Sequence, residues 1–265
     1  MMTIIIPTDF SDAAKNAIRY AVRLFGMDTH YVMMNSYVEP RSTTSSMISL
    51  REVLHEASVA GIEEETNWVL EEFPGMKLET LCEYGEPDQA IASAARLHKA
   101  DMIVMGTTGA TGLKEVMLGS VAASVIRIAD RPVIAVPGHY RIRDPKQVLF
   151  ATDLKIEKQL PDQVMSLLKN SEVTVLTVTE KQDEISGEDA EHGYDFHVQL
   201  QGLNHRFEVI TSENVEQAIT DYAHGNDMDI VMTIPRKASW FQRLIHPSVS
   251  KKLAQHLDIP VLTIS

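Results

Sequence analysis

A single cysteine, Cys82, occurs among 265 residues. One thiol cannot close an intrachain disulfide or supply a cysteine metal cluster, so a cytosolic setting is expected. Cys82 falls in a segment that reads as a strand, where it is expected to be a small core residue. Basic residues are also scarce: 24 Lys and Arg against 37 Asp and Glu give a formal net charge of −13. Nonspecific binding of DNA, RNA or an anionic membrane needs a basic face, and this balance argues against one. An acidic chain can still hold a nucleotide through local backbone N–H groups and a divalent cation. No apolar run has the length of a membrane span. The first residues lack the basic-then-apolar order of a secretory leader, because Asp9 follows Thr3 to Pro7 at once. Also missing are Gly-x-x-x-x-Gly-Lys-Ser/Thr and Gly-x-Ser-x-Gly, which argues against a P-loop NTPase and an α/β-hydrolase elbow.

What is present is a repeat. Ile4-Ile-Ile-Pro-Thr-Asp9 returns as Val148-Leu-Phe-Ala-Thr-Asp153, and Asp101-Met-Ile-Val-Met105 as Asp229-Ile-Val-Met232. Gly119-Ser120-Val121 corresponds to Pro247-Ser248-Val249, and the run from Arg131 to Val136 to that from Ile259 to Ile264. Two like domains are therefore expected, over 1–138 and 147–265, joined by a polar linker over 139–146 that contains Pro145.

Within the first copy, strands and helices alternate. Strands are expected at Thr3 to Thr8, Tyr31 to Tyr37, Lys77 to Tyr84, Met102 to Met105 and Val133 to Val136. Ser11 reads as the cap of a helix that buries Ala13, Ala14, Ala17, Ile18, Ala21, Val22 and Leu24. A Ser/Thr-rich loop from Ser42 to Ser46 leads into a long helix that stops at Pro74-Gly75, and Pro87 opens a helix through Ala100. This order indicates an α/β fold with a parallel sheet covered on both faces. Ligands of such sheets lie at the carboxyl ends of strands, where the strand order reverses.

One stretch is richest in chemistry. The apolar run ending at Met105 feeds Gly106-Thr-Thr-Gly109, and after nine intervening residues come Gly119 and the Ser120 hydroxyl. Val121 and the residues after it read as a helix. Glycines allow close approach of an anion, and a helix N-terminus presents unpaired N–H groups with positive partial charge. Strand, glycine loop and hydroxyl-bearing helix start together form a phosphate cradle.

The pattern resembles the universal stress protein family. The resemblance rests on Pro7-Thr8-Asp9-Phe10-Ser11, Gly85-Glu-Pro87, Ala100 to Gly106, Gly109, Gly119-Ser120-Val121-Ala122 and Pro132-Val133, and as a tandem it spans nearly the whole chain. It implies two Rossmann-like domains, each an open five-stranded parallel sheet in the order 3-2-1-4-5. It also implies ATP as ligand, with Mg2+ or Mn2+. Carried over by position, Asp9 contacts the ribose or adenine side, aided by the turn at Pro7 and Thr8. Ser36 lies by the adenine, and Met105 and Gly106 line the approach to ribose and phosphate. Gly109, Gly119, Ser120 and Val121 hold the phosphates through backbone N–H groups and the serine hydroxyl. Each residue also has an ordinary structural use: Asp9 can cap its turn, and Ser120 can cap its helix with or without a ligand.

The rear copy keeps Thr152-Asp153 and Ser248 but replaces the cradle. Gly106 becomes Thr233 and Gly119 becomes Pro247, while Trp240 and Phe241 add apolar bulk. Proline removes a donor where phosphate should approach. The basic residues Arg236, Lys237 and Arg243 read as a solvated cluster. His192, His197 and His205 match no regular metal spacing and read as part of a solvated acidic connection.

The expectation is a cytoplasmic, non-enzymatic, nucleotide-dependent sensor or regulator in the stress response, with ATP in the front domain only. No general base for attack on the γ-phosphate stands out. The family commonly dimerises through its fifth strand, so the resemblance implies an intramolecular pseudo-dimer of the halves and a homodimer beyond it. The competing readings are an interaction module that uses no nucleotide and a site for another adenine nucleotide, such as a cyclic one.

Overall fold

The computed structural model describes residues 1–39, 47–107, 119–154, 159–179, 187–234 and 258–264. The chain divides into two compact units between Ile142 and Arg143.

The front unit contains β1 (Thr3–Pro7), α1 (Asp12–Phe25), β2 (His30–Tyr37), α2 (Met47–Glu72), β3 (Lys77–Tyr84), α3 (Pro87–Leu97), β4 (Met102–Gly106), α4 (Ser120–Ile128) and β5 (Val133–Val136). Its strands run parallel in the order β3-β2-β1-β4-β5. α1 packs with α2 and α3 with α4, and crossovers of the usual right hand put each pair on its own face of the sheet. Ile4, Ile5 and Ile6 of β1 and Met102 to Val104 of β4 are fully covered, as expected of central parallel strands.

Local chemistry sets the boundaries. The Ser11 side chain accepts from Ala14 N–H at 3.2 Å and so caps α1. The buried face of α1 includes Tyr20 in place of Leu24, because the Tyr20 ring packs edge-on to Tyr140, 5.9 Å away. Arg19 and Glu72 pair two-pronged across the α1–α2 seam, at 2.7 and 2.8 Å. The third helix ends at Leu97, short of the expected Ala100. Lys99 takes the left-handed conformation (φ 49°), and Ala100 N–H reaches back to Ala95 O at 2.8 Å. The rear unit stops its corresponding helix in the same way, with Asp227 at φ 50° and Met228 N–H on Ala223 O.

The rear unit contains β6 (Gln147–Ala151), α5 (Asp162–Leu168), β7 (Glu172–Thr179), α6 (Gly187–Gln199), β8 (Asn204–Thr211), α7 (Val215–Gly225), β9 (Ile230–Thr233) and β10 (Val261–Thr263). Its strands are parallel in the order β8-β7-β6-β9-β10. The two units thus carry the same strand order.

One sequence expectation changes. The acidic, histidine-bearing stretch is no connection: it forms α6 and leads into β8. Phe196 and Leu200, both buried, give it an apolar side, and Phe196 packs edge-on against Phe150 at 4.9 Å. The stretch that reads as a polar linker is also tied down at both ends. Asn16 donates to the carbonyls of Pro137 and Tyr140 in the front unit. In the rear unit Arg143 pairs with Asp229, and the Ser171 hydroxyl donates to Pro145 O at 2.5 Å.

The repeated aspartates bind strand starts. Asp101 accepts from Thr3 N–H at 2.8 Å, and Asp229 accepts from the N–H groups of Lys146 and Gln147, each at 2.8 Å. Among the described residues no helix is long and apolar enough to cross a membrane.

Candidate functional site

The reversal of strand order in the front sheet lies between β1 and β4, the place where such sheets bind ligands. β1 ends at Pro7, and the chain turns through Thr8, Asp9 and Phe10. Thr8 is buried and donates its N–H to Met34 O of β2 at 2.8 Å. Its hydroxyl accepts from Phe10 N–H at 2.9 Å. Phe10 is held in the left-handed region at φ 65°, a costly conformation for a bulky residue. Asp9, at the apex, is exposed, and one of its oxygens accepts from Ser11 N–H at 3.2 Å. That bond is the turn-capping role open to it, and the carboxylate still faces solvent. Ser36, near the end of β2, is half-buried.

The other side is formed by β4 and α4. Met105 is buried, and Gly106 ends the strand. A Cβ on Gly106 would lie 3.0 Å from both the carbonyl carbon and oxygen of Ala13, in the first turn of α1. This glycine therefore has a packing role: it lets α1 start against the end of β4. Thr107 N–H donates to Val136 O at 3.0 Å, and Thr107 O accepts from the Gly119 N–H. The Gly119 amide is thereby engaged in closing the loop. Gly119 is the N-cap of α4, with no side-chain cap hydrogen bond. The amides that follow, of Ser120, Val121 and Ala122, have no intrahelical acceptor. Ser120 and Val121 are exposed. An anion fits here by charge and by donor supply. Gly109, expected among the phosphate contacts, lies outside the described residues.

The rear unit repeats the turn closely. Thr152 accepts from Leu154 N–H at 3.0 Å, donates its own N–H to Leu176 O at 3.0 Å, and Leu154 has φ 65°. At the strand end, however, Thr233 stands in place of Gly106, with its side chain buried. The helix that follows the turn also differs: α1 begins directly at Asp12, whereas α5 begins only at Asp162. Trp240, Phe241, Pro247 and Ser248 lie outside the described residues.

A model of the universal stress protein family matches residues 1–137 and again 146–265. The chain belongs to the universal stress protein family.

The universal stress protein MJ0531 of Methanocaldococcus jannaschii is 36% identical over 138 residues, covering 50% of this chain and 80% of that protein. The universal stress protein MJ0577 of the same organism is 28% identical over 151 residues, covering 50% of this chain and 93% of the relative. A solved universal stress protein from Archaeoglobus fulgidus covers 98% of this chain and 95% of its own, with a TM-score of 0.70 at 18% identity. At that identity the match concerns the fold, and it extends over both halves.

A further polar pair belongs to the rear unit. His197 Nδ1 and His205 Nε2 are 2.8 Å apart, and His205 Nδ1 faces Leu203 O at 3.0 Å. Among the described residues no group of three or more His, Cys, Asp or Glu side chains is arranged to hold a metal ion. Sequence reasoning passed over one group near the site, the buried Glu65. It sits in the run Glu63-Glu64-Glu65, whose first two members are exposed. Only the helical spacing of Ser58, Ile62, Glu65 and Val69, all buried, marks it as inward-facing.

Proposed function

We propose that this universal stress protein binds ATP in its front domain and acts as a nucleotide-dependent sensor or regulator. The observation that carries this reading is the convergence, at the β1/β4 switch point, of an exposed carboxylate on Asp9 and a helix start without a side-chain cap at Gly119. A carboxylate accepts hydrogen bonds from ribose hydroxyls and repels phosphate. A helix N-terminus does the reverse. The two features therefore orient a nucleotide, with its adenine by Ser36, its sugar at Pro7, Thr8 and Asp9, Met105 and Gly106 lining the approach of ribose and phosphate, and its phosphates at Gly119, Ser120 and Val121. Gly109 belongs with the phosphate group by its place in the motif.

Mg-ATP supplies a compact polyanion with its charge partly neutralised by Mg2+ or Mn2+. The protein supplies main-chain donors, and the segment between Gly106 and Gly119 responds to their occupancy. The reading is of a binding protein in place of a catalyst, because the site's residues offer donors and no evident base for water. The rear domain keeps the turn at Thr152-Asp153 but carries Thr233 and Pro247 in place of glycines, so it does not bind nucleotide in this manner.

Protein purified without denaturation is expected to release an adenine nucleotide, at most one per chain, identified by mass spectrometry. Nucleotide-free protein is expected to melt at higher temperature in Mg-ATP, by mass action on the folded state. A protein that carries no nucleotide and shows no thermal shift would favour an interaction module. Recovery of a cyclic nucleotide would reassign the ligand and keep the site.

A further inference from the structure

Helix α2 grips the Asp9 turn at three points along one stripe. Ser58 donates to the Asn35 side-chain oxygen at 2.7 Å, and Asn35 donates to Thr8 O at 2.8 Å. Gly61 makes room for the Phe10 ring: a Cβ there would lie 2.5 Å from Phe10 Cε2. Glu65, one helical turn further on, is 3% exposed and faces the Thr8 hydroxyl, Asp9 and Lys15. Neither of its carboxyl oxygens completes a hydrogen bond of normal geometry with a described residue.

We propose that Glu65 is a positioning residue for the nucleotide site: its carboxyl group, uncharged when the turn is set, supports Thr8 from below, and its ionisation drives the Asp9 turn out of the binding arrangement. The nucleotide part of this inference rests on the function proposed above.

The physical case begins with desolvation. An ionised carboxylate without hydrogen-bond donors is costly to bury, whereas a neutral acid of the same shape is not. Burial therefore pushes the Glu65 carboxyl above the usual range, and the Asp9 charge pushes it the same way. Two groups oppose this, the Thr8 hydroxyl on the β1 side and the Lys15 ammonium on α1. Lys15 also lies over the Trp68 ring, 5.2 Å from its centroid. Beyond it, Arg19 is committed to Glu72. Ionising Glu65 thus leaves a buried charge whose desolvation the Thr8 hydroxyl and Lys15 only partly offset, and water reaches it only if the covering turn moves. The turn is the element able to respond, because Phe10 already sits at positive φ. Asp9 must stay in place to accept from a ribose, and movement of the turn displaces it.

The sign for stability follows from the raised pKa. The contribution of neutral Glu65 is fully present below the pKa of an unfolded glutamate, and it is lost as pH rises through the higher folded value.

The test uses the full chain and Glu65→Gln, which keeps the shape of the neutral acid. In wild type the Glu65 carboxyl carbon, followed by NMR, is expected to titrate above the ordinary range, with the amides of Thr8, Asp9 and Phe10 shifting at the same midpoint. In Glu65→Gln that inflection disappears from all three amides. Mg-ATP affinity, by calorimetry, is expected to weaken at least about fivefold across the transition in wild type and to stay level in Glu65→Gln. Protonation of ATP itself is common to both proteins and cancels in their ratio. Denaturant unfolding gives an independent reading: wild type loses stability relative to Glu65→Gln as pH rises through the midpoint. Turn amides that titrate identically in both proteins would overturn the inference, as would a Glu65 that titrates like an exposed carboxylate. If the amides follow Glu65 but neither protein binds Mg-ATP at any pH, the turn coupling stands and the nucleotide assignment falls.

Discussion

Replacing Gly119 by proline is expected to lower Mg-ATP affinity about 10- to 100-fold while leaving the front domain folded. Gly119 has φ −58° and ψ 153°, values that proline adopts without strain, so helix α4 can still begin at Ser120. The substitution removes the N–H that closes onto Thr107 O, a loss of about 1 kcal/mol of stability. Its larger effect falls on the ligand. The pyrrolidine ring fills the approach to the amides of Ser120 and Val121, and each charge-assisted bond lost there is worth about 1.5–3 kcal/mol. The rear domain has made this same change, with Pro247 before Ser248. Calorimetry checks the affinity, and a thermal melt checks that the fold survives. Unchanged affinity in a folded Gly119→Pro protein would remove α4 from the site.

The second large effect is on stability. Gly106→Val is expected to destabilise the front domain by on the order of 3 kcal/mol, read as a lower denaturant midpoint with unchanged slope. The reason is a backbone contact. Any Cβ at Gly106 meets the carbonyl group of Ala13 at 3.0 Å, and a branched side chain adds two further carbons. A main-chain carbonyl in the first turn of α1 cannot rotate away as a side chain can, so the helix must shift. That helix starts at the Asp9 turn, so nucleotide binding is expected to weaken in the same variant. If Gly106→Val unfolds like wild type, the packing role assigned to Gly106 is wrong, and its place in the glycine signature reflects the ligand alone.

Much of this was legible in the sequence. The alternation of apolar runs with capped, amphipathic segments located the front strands closely, and β3 from Lys77 to Tyr84 agrees residue for residue. Ser11 was readable as a cap because serine before an alanine-rich apolar stripe has few other uses. Boundaries failed where the chain departs from usual residue chemistry. Nothing in the composition around Lys99 signals a left-handed residue, since glycine ordinarily fills that place. The stretch that became α6 was too polar to show a clear period, although Phe196 and Leu200 anchor it.

At the candidate site, motif spacing points to Asp9, Gly106, Gly119 and Ser120, and in the structure each lies just at or after a strand end or at a helix start. It did not separate the two uses of glycine. Gly106 faces the backbone of Ala13, Gly61 faces the Phe10 ring, and Gly119 opens α4 with ordinary negative φ. Those distinctions depend on contacts between distant segments. Glu65 was hidden for a related reason: charge in a run reads as solvated, and only packing of α2 on the Thr8 turn shows that one member of the run faces inward.

The central claim is that the front domain holds the nucleotide through the Asp9 turn and the start of α4. Titration of Mg-ATP into nitrogen-15-labelled full-length protein, followed amide by amide, tests it most directly. The expected result is a set of shifts confined to Thr8, Asp9, Ser36, Gly106, Gly119, Ser120, Val121 and their neighbours, saturating together while Thr152, Asp153 and Thr233 stay fixed. Shifts centred on Thr152, Asp153 and Thr233, or none at Asp9 and Ser120 at saturating ligand, would contradict it.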